Sequence, residues 1–342
     1  MKLKKHVNIP VFVPHAGCPH DCVFCNQKKI TGRQGFDLLA AEKEITHALS
    51  TVDLNSTHAE IAFFGGSFTG IELSDMLGLL EISDKFVRSG LVSSVRCSTR
   101  PDYINVEILE ILKEHHVKTV EIGVQSMDNK VLSACARGHT AADTEKACRL
   151  IVEKGFDLVG QMMLGLPCST PESELMTAGA ICDFGAVGAR IYPTVVFEDT
   201  ALLKMTECGD YTPLSVEQAV ERCAPVIGVF AHRNVDIIRI GLCESEGLHE
   251  NGIRGGAFHP ALGEMCLSRY YLDRVMSDLC RLITNRSSSF TAAISVADSE
   301  LSKLIGQRRC NKNALKSLYP NARFTFKTDA KLLPFEIRTL IT

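Results

Sequence analysis

Six β-rich apolar runs separated by helix-length amphipathic segments limit this fold more than any other feature. The runs occupy residues 7–13, 60–65, 93–99, 117–125, 157–165 and 189–197. Between them, roughly at 37–50, 73–88, 105–115, 140–154 and 171–184, apolar residues recur at the 3.6-residue period of a helix. Strands joined by helices of this length pair in parallel through right-handed crossovers. Six such units with short loops predict an α/β barrel or partial barrel rather than an open sheet. In such folds the ligand lies at the carboxyl ends of the strands. The unusual segments obey that rule: a three-cysteine loop follows the first run, "GGSFTG" (65–70) the second, "TRPD" (99–102) the third, "QS" (125–126) the fourth and "GLP" (165–167) the fifth. After about residue 200 the alternation loosens. Residues 215–233 read as helix, 235–242 as strand-like, 255–283 as a glycine-rich turn entering a long helix, and 285–289 as a linker before a small α+β appendage.

The hydrophobic content of 45% and charged content of 23% are those of an ordinary globular enzyme. No apolar run approaches the roughly 18 residues that span a bilayer. The amino-terminal apolar stretch is broken by Asn8, Pro10 and Pro14 and has no small-residue cleavage site, so it is not read as a signal peptide. A cytoplasmic protein without membrane association is expected. The net charge of −3 conceals an asymmetry: residues 1–35 carry six Lys/Arg against one acid, and residues 303–342 carry nine against two. Basic ends on an acidic body fit either an anionic partner or a solvated surface.

Cysteine usage is the chemical signature. Of fourteen cysteines, Cys18, Cys22 and Cys25 stand within eight residues, and no second C-x-x-C follows. A structural zinc site takes four ligands, and a disulfide framework takes an even number in an oxidising compartment. Three thiolates suit a metal centre that is one ligand short, and thiolates are the soft ligands of iron–sulfur clusters. The other eleven, scattered singly, are expected to be packing residues in a reducing interior. There is no Ser-His-Asp arrangement, general acid–base dyad, P-loop, HExxH or GxGxxG.

The Cys-x3-Cys-x2-Cys spacing, with Phe24 before the last cysteine, resembles that of the radical S-adenosylmethionine (SAM) superfamily. The resemblance implies a partial (β/α)6 barrel, with a small carboxyl-terminal α+β extension, that binds a 4Fe-4S cluster through Cys18, Cys22 and Cys25. It implies SAM chelated to the open iron, reductive cleavage to a 5′-deoxyadenosyl radical, and a reducing electron donor such as flavodoxin or ferredoxin. By the same resemblance Gly65, Gly66 and Ser67 would approach the SAM amino group, Gln125 its ribose or carboxylate region, and Arg137 its carboxylate. Met163 and Leu164 would lie beside the adenine. Tyr192 is a candidate to face the substrate, and Glu121 fits an inward or an outward position equally. Within the superfamily, "TRPDYI" (99–104), "VEIGVQS" (120–126), "RGHT" (137–140), "GQMMLGLP" (160–167) and "RIYPTVV" (190–196) resemble the core of the elongator-complex catalytic subunit, which modifies wobble uridine in tRNA. That implies a core over residues 1–240, an extension over 241–342 and tRNA as partner. The last hundred residues show no acetyl-CoA-binding pattern, so the resemblance does not extend to an acetyltransferase domain. Two alternatives remain: a porphyrinogen-type or other small-molecule radical SAM oxidase, and a non-catalytic iron–sulfur or haem-binding protein. Against the first, Asn26 and Gln27 follow Cys25 where that group carries an extra cysteine.

Overall fold

The computed structural model describes residues 5–13, 18, 22–25, 37–242, 252–283 and 289–341. Seven parallel strands form one curled sheet in the order β1-β2-β3-β4-β5-β6-β8. They are β1 (Lys5–Val13), β2 (Thr57–Gly65), β3 (Ser94–Thr99), β4 (Val117–Gln125), β5 (Asp157–Leu164), β6 (Gly188–Pro193) and β8 (Asp236–Ile240). Sequential order with uniformly parallel pairing is the half-barrel that the β/α alternation predicts. The seventh strand is the strand-like run at 235–242.

The crossover helices are α1 (Leu38–Ser50), α2 (Leu73–Arg88), α3 (Val106–Glu114), α5 (Ala141–Glu153) and α6 (Pro171–Asp183), with α4 (Asn129–Ala134) as a short extra turn after β4. Local chemistry fixes where they start. Asp37 and Asn105 accept amide hydrogens of the first turns of α1 and α3, while Thr140 with Asp143 and Thr170 with Ser173 form capping boxes. Each helix buries one apolar stripe on the sheet's outer face. Ile61, Phe63, Val95, Val120, Ile122, Leu164 and Ile191 from the strands meet Ile45, Leu79, Leu109, Ile151 and Ile181 from the helices in one continuous core. Alternation within each strand therefore sends the intervening residues into the lumen.

The run at 189–197 is two strands, not one. Thr194 breaks it, its amide and hydroxyl both donating to the Leu164 carbonyl. Beyond the break, β7 (Val195–Phe197) turns to pair antiparallel with β9 (Ile253–Gly256). Helices α7 (Ala201–Glu207) and α8 (Val216–His232) follow, and α9 (Leu262–Leu282) packs along α8. The chain ends in β10 (Thr291–Val296), α10 (Leu301–Ile305), α11 (Cys310–Leu318), β11 (Arg323–Thr328) and β12 (Ile337–Ile341). Strand β10 is central, parallel to β11 and antiparallel to β12. Buried Tyr271 ties α9 to this extension: its hydroxyl donates to Glu300 and accepts from the Phe335 amide. The linker expected at 285–289 lies, but for its last residue, outside the described residues.

Candidate active site

The rim at the carboxyl ends of the strands gathers the expected segments. Val13 ends β1 opposite Gly65, which ends β2. Gly65 sits at φ 109°, and a Cβ there would stand 2.7 Å from the Val13 carbonyl oxygen, so only glycine lets the strands end this closely. The Gly66 amide donates to that same carbonyl at 3.0 Å. Ser67, buried at the next position, accepts a hydrogen bond from the Cys18 thiol, Sγ to Oγ 3.7 Å. The cysteine loop and the glycine turn thus meet.

Residues 22–25 are held from two directions. The Val23 amide donates to the Cys135 carbonyl at the end of α4, and the Val23 carbonyl accepts from the Leu202 amide in the first turn of α7. Val23 and Phe24 fill the space between two small apolar clusters, one of Val131, Cys135, Leu166 and Met163, the other of Val196, Leu202 and Tyr211. Cys22 is buried, and two guanidinium groups donate to its sulfur: Arg137 Nη1 at 3.5 Å and Arg100 Nη1 at 3.9 Å.

Arg137 is buried and held on three sides. Besides Cys22 it donates through Nη2 to the Gly123 carbonyl at 2.9 Å and through Nε to His139 Nε2 at 3.0 Å. A Cβ on Gly123 would stand 2.8 Å from Arg137 Nη2 and 3.0 Å from Gln125 Nε2, so this glycine makes room for both. Gln125 itself has a left-handed backbone, φ 63°, beside a register shift between β4 and β5. A bulge of this kind re-aims the side chain at the strand's end. Its Oε1 accepts from Gln161 Nε2 at 3.2 Å. Of the two residues expected beside the adenine, Met163 is half-buried against the cysteine loop, whereas Leu164 lies wholly in the sheet–helix core. Leu164 contributes its carbonyl to Thr194, and its side chain faces away from the site.

Below this rim the lumen carries a ladder of paired charges. Glu60 on β2 accepts from Arg96 on β3, Arg96 donates to Glu121 on β4 at 2.7 Å, and Glu121 accepts from Arg190 Nε on β6 at 2.8 Å. Arg190 also lies over the Phe64 ring, 5.3 Å from its centroid. Glu121 therefore faces inward. Tyr192 is beside Arg190 on the same face, and burial raises its hydroxyl pKa above the usual tyrosine value. Farther round, Glu174 accepts from the Gly165 amide at 2.6 Å and pairs with Arg222, pinning the turn that follows β5.

The donor set fits an iron–sulfur cluster. A 4Fe-4S centre with three thiolate ligands is anionic, and the buried pocket offers two guanidinium groups at one of those thiolates. Among the described residues no three sulfurs converge as they would around a single ion. Cys135, next to the loop, packs in an apolar cluster with Val131 and Leu166, and burial pushes its thiol up to about 12. His139 is driven the other way: burial, then the charge of Arg137, lowers it to about 4 and leaves it neutral to accept from Arg137.

The remaining cysteines divide. Cys97, Cys135, Cys148, Cys223 and Cys266 are buried as packing residues and Cys182 is half-buried, but Cys168, Cys208, Cys280 and Cys310 are exposed. The expectation of a uniform packing role is corrected: these four are exposed side chains in turns and on outward helix faces. Cys243 lies outside the described residues. Sequence reasoning also passed over Arg100, His139 and the pairs formed by Glu60, Arg96 and Arg190. The signal for the ladder was present, since charged residues occupy alternate positions in strands otherwise apolar.

Comparison with known proteins agrees with this geometry. Residues 12–178 match the radical SAM superfamily and residues 186–272 the radical SAM C-terminal domain. The chain is 27% identical over 260 residues to a tRNA uridine(34) acetyltransferase of Methanocaldococcus infernus, covering 62% of this chain and 47% of that protein. It is 30% identical over 145 residues to elongator complex protein 3 of Dictyostelium discoideum, covering 40% of this chain and 26% of the relative. It thus spans about half, or less, of the length of these relatives. The structure superposes on archaeal Methanocaldococcus infernus Elp3 with a TM-score of 0.60 at 20% identity, over 80% of this chain and 64% of that one, a likeness of fold. With the fold, the rim and two sequence patterns in agreement, this chain belongs to the radical SAM superfamily of enzymes and is similar to its Elp3 branch.

Proposed function

We propose that the protein binds a 4Fe-4S cluster through Cys18, Cys22 and Cys25, binds SAM at the adjoining rim, and acts on RNA, with tRNA as the substrate. The carrying observation is the convergence of Cys18 on Ser67 and of Cys22 on Arg100 and Arg137, within reach of the Gly123–Gln125 turn. When bound, the cluster and SAM supply reductive cleavage of SAM to methionine and a 5′-deoxyadenosyl radical, the species that abstracts hydrogen from a substrate. The chain's own residues do the rest. Gly65 and Gly66, without side chains, would let an amino acid moiety approach the turn, and Arg137, held at its Nε and Nη2, keeps donor hydrogens for a carboxylate. Gln125 offers an amide that Gln161 orients. Met163, Val23 and Phe24 give an apolar wall that excludes water from the rim.

The RNA reading rests on the relatives named as tRNA uridine(34) acetyltransferases and on the basic ends of the chain. Acetyl transfer is not part of the proposal. An electron donor of the flavodoxin or ferredoxin class and a cytoplasmic setting complete it. No helix among the described residues is long and apolar enough to cross a membrane. Anaerobic incubation of the reconstituted protein with SAM, reductant and total tRNA, followed by nucleoside mass spectrometry, tests the substrate. A modified nucleoside that appears only with SAM supports it. 5′-Deoxyadenosine formed without any change in RNA would reject tRNA and favour a small-molecule substrate.

A further inference from the structure

Arg100 stands in no expected ligand set, yet it is among the most buried charged residues of the protein. Its guanidinium is fixed by two partners. Nε and Nη2 donate to the two oxygens of Asp102 at 2.9 and 3.0 Å, and Nη2 donates to the Arg137 carbonyl at 2.6 Å. Nη1 is left, and it aims at Cys22 Sγ from 3.9 Å. Arg137 reaches the same sulfur from a second direction. A buried charge needs a reason to be there, because the loop from 99 to 102 could be tied to residue 137 by a neutral donor at much lower desolvation cost.

We propose that Arg100 is a positioning residue that raises the reduction potential of the cluster held by Cys22, with Asp102 setting how much of its charge the sulfur feels. The inference rests on the cluster reading above. Adding one electron makes the centre more negative, so a cation and an N–H donor beside one thiolate favour the reduced form. The Asp102 carboxylate opposes that field while it orients the guanidinium. The two side chains therefore have opposite signs of effect on one measurable quantity. A purely structural role for the Arg100–Asp102 pair gives no such opposition, since both losses would loosen the same loop.

The test is a reductive titration of the anaerobically reconstituted protein with a low-potential dithionite-class reductant, followed by electron paramagnetic resonance. Relative to the parent, Arg100→Gln is expected to shift the midpoint to a more negative value, Arg100→Lys to a smaller extent, and Asp102→Asn to a less negative value. Iron content is measured in each variant so that a shift is not confused with cluster loss. Should Arg100→Gln fail to fold, the upward shift in Asp102→Asn decides alone. Equal midpoints in iron-replete variants, or shifts of the same sign for Arg100→Gln and Asp102→Asn, overturn the inference. A parent that takes up no iron overturns the cluster reading itself, and this inference with it.

Discussion

At the scale of single residues, Arg137 does the most, because each of its contacts constrains another part of the site. It is braced by Gly123 and His139 and faces Cys22. Arg137→Ala should weaken SAM binding by about 1.5–3 kcal/mol, the worth of a charge-assisted hydrogen bond, or roughly ten- to a hundredfold in Kd by equilibrium dialysis. Gly123→Ala should weaken it as well, because the new methyl would collide with Nη2. Affinity unchanged in both variants would show that Arg137 serves the fold alone. His139 gives a pH test. Its pKa falls from the ordinary 6.5 to about 4 in the folded chain. The unfolded chain therefore binds more protons between these values, and the stabilisation, complete above pH 6.5, is lost as the pH falls towards 4. At pH 5 the loss should be about 2 kcal/mol. Urea unfolding of the cluster-free chain should show a pH 7 to 5 decline that His139→Asn reduces by that amount. Equal declines in both proteins would mean that His139 titrates normally. From the sequence, Arg137 was legible through the resemblance of "RGHT", but the brace was not. Hydrogen bonding between residues 123, 137 and 139 depends on how α4 returns the chain to the end of β4, which no local pattern encodes.

At the scale of elements, strand alternation explains both what was read and what was missed. The outward positions are apolar and generate the period that makes β1 to β6 visible, and the capped helices between them were placed to within a residue or two. The lumen positions break the apolar run with charges that pair across strands, so their partners appear only when the register is known. Glu121 could not be oriented from sequence, since both neighbours, Val120 and Ile122, are apolar; its inward position follows from Val120 and Ile122 lying in the outer core. The single strand expected at 189–197 is two because the chain changes partner at residue 194: its amide still donates to Leu164 of β5, its carbonyl accepts from the Ala257 amide just past β9, and Val195–Phe197 then pair with β9. The ladder also predicts a stability effect. Glu121 neutralises parts of both Arg96 and Arg190. Glu121→Leu leaves two buried guanidinium groups short of a partner and should cost about 3–5 kcal/mol in chemical denaturation. A loss below about 1 kcal/mol would indicate that water reaches the lumen and solvates both arginines.

At the scale of the whole molecule, the half-barrel brings residues from 18 to 202 to one rim, while the carboxyl-terminal extension anchors on α9 and carries a basic turn. Arg308 and Arg309 are exposed there, followed by half-buried Lys312. If RNA docks on this surface, counterion release makes affinity fall by roughly 0.7 to 0.9 log units per log unit of salt for each phosphate neutralised. Replacing the three cations by Gln should lower the slope by about 2 while leaving SAM cleavage intact. An unchanged slope would move the docking surface elsewhere on the protein. All of this depends on one claim, that Cys18, Cys22 and Cys25 hold a cluster competent to cleave SAM. Iron content and 5′-deoxyadenosine yield of the anaerobically reconstituted chain, set beside the triple Cys→Ala variant, test it most directly. The account predicts about four irons per chain and 5′-deoxyadenosine on reduction with SAM in the parent, and almost none of either in the variant. Iron retained by the triple variant, or an iron-replete parent that leaves SAM intact under reducing conditions, would contradict it.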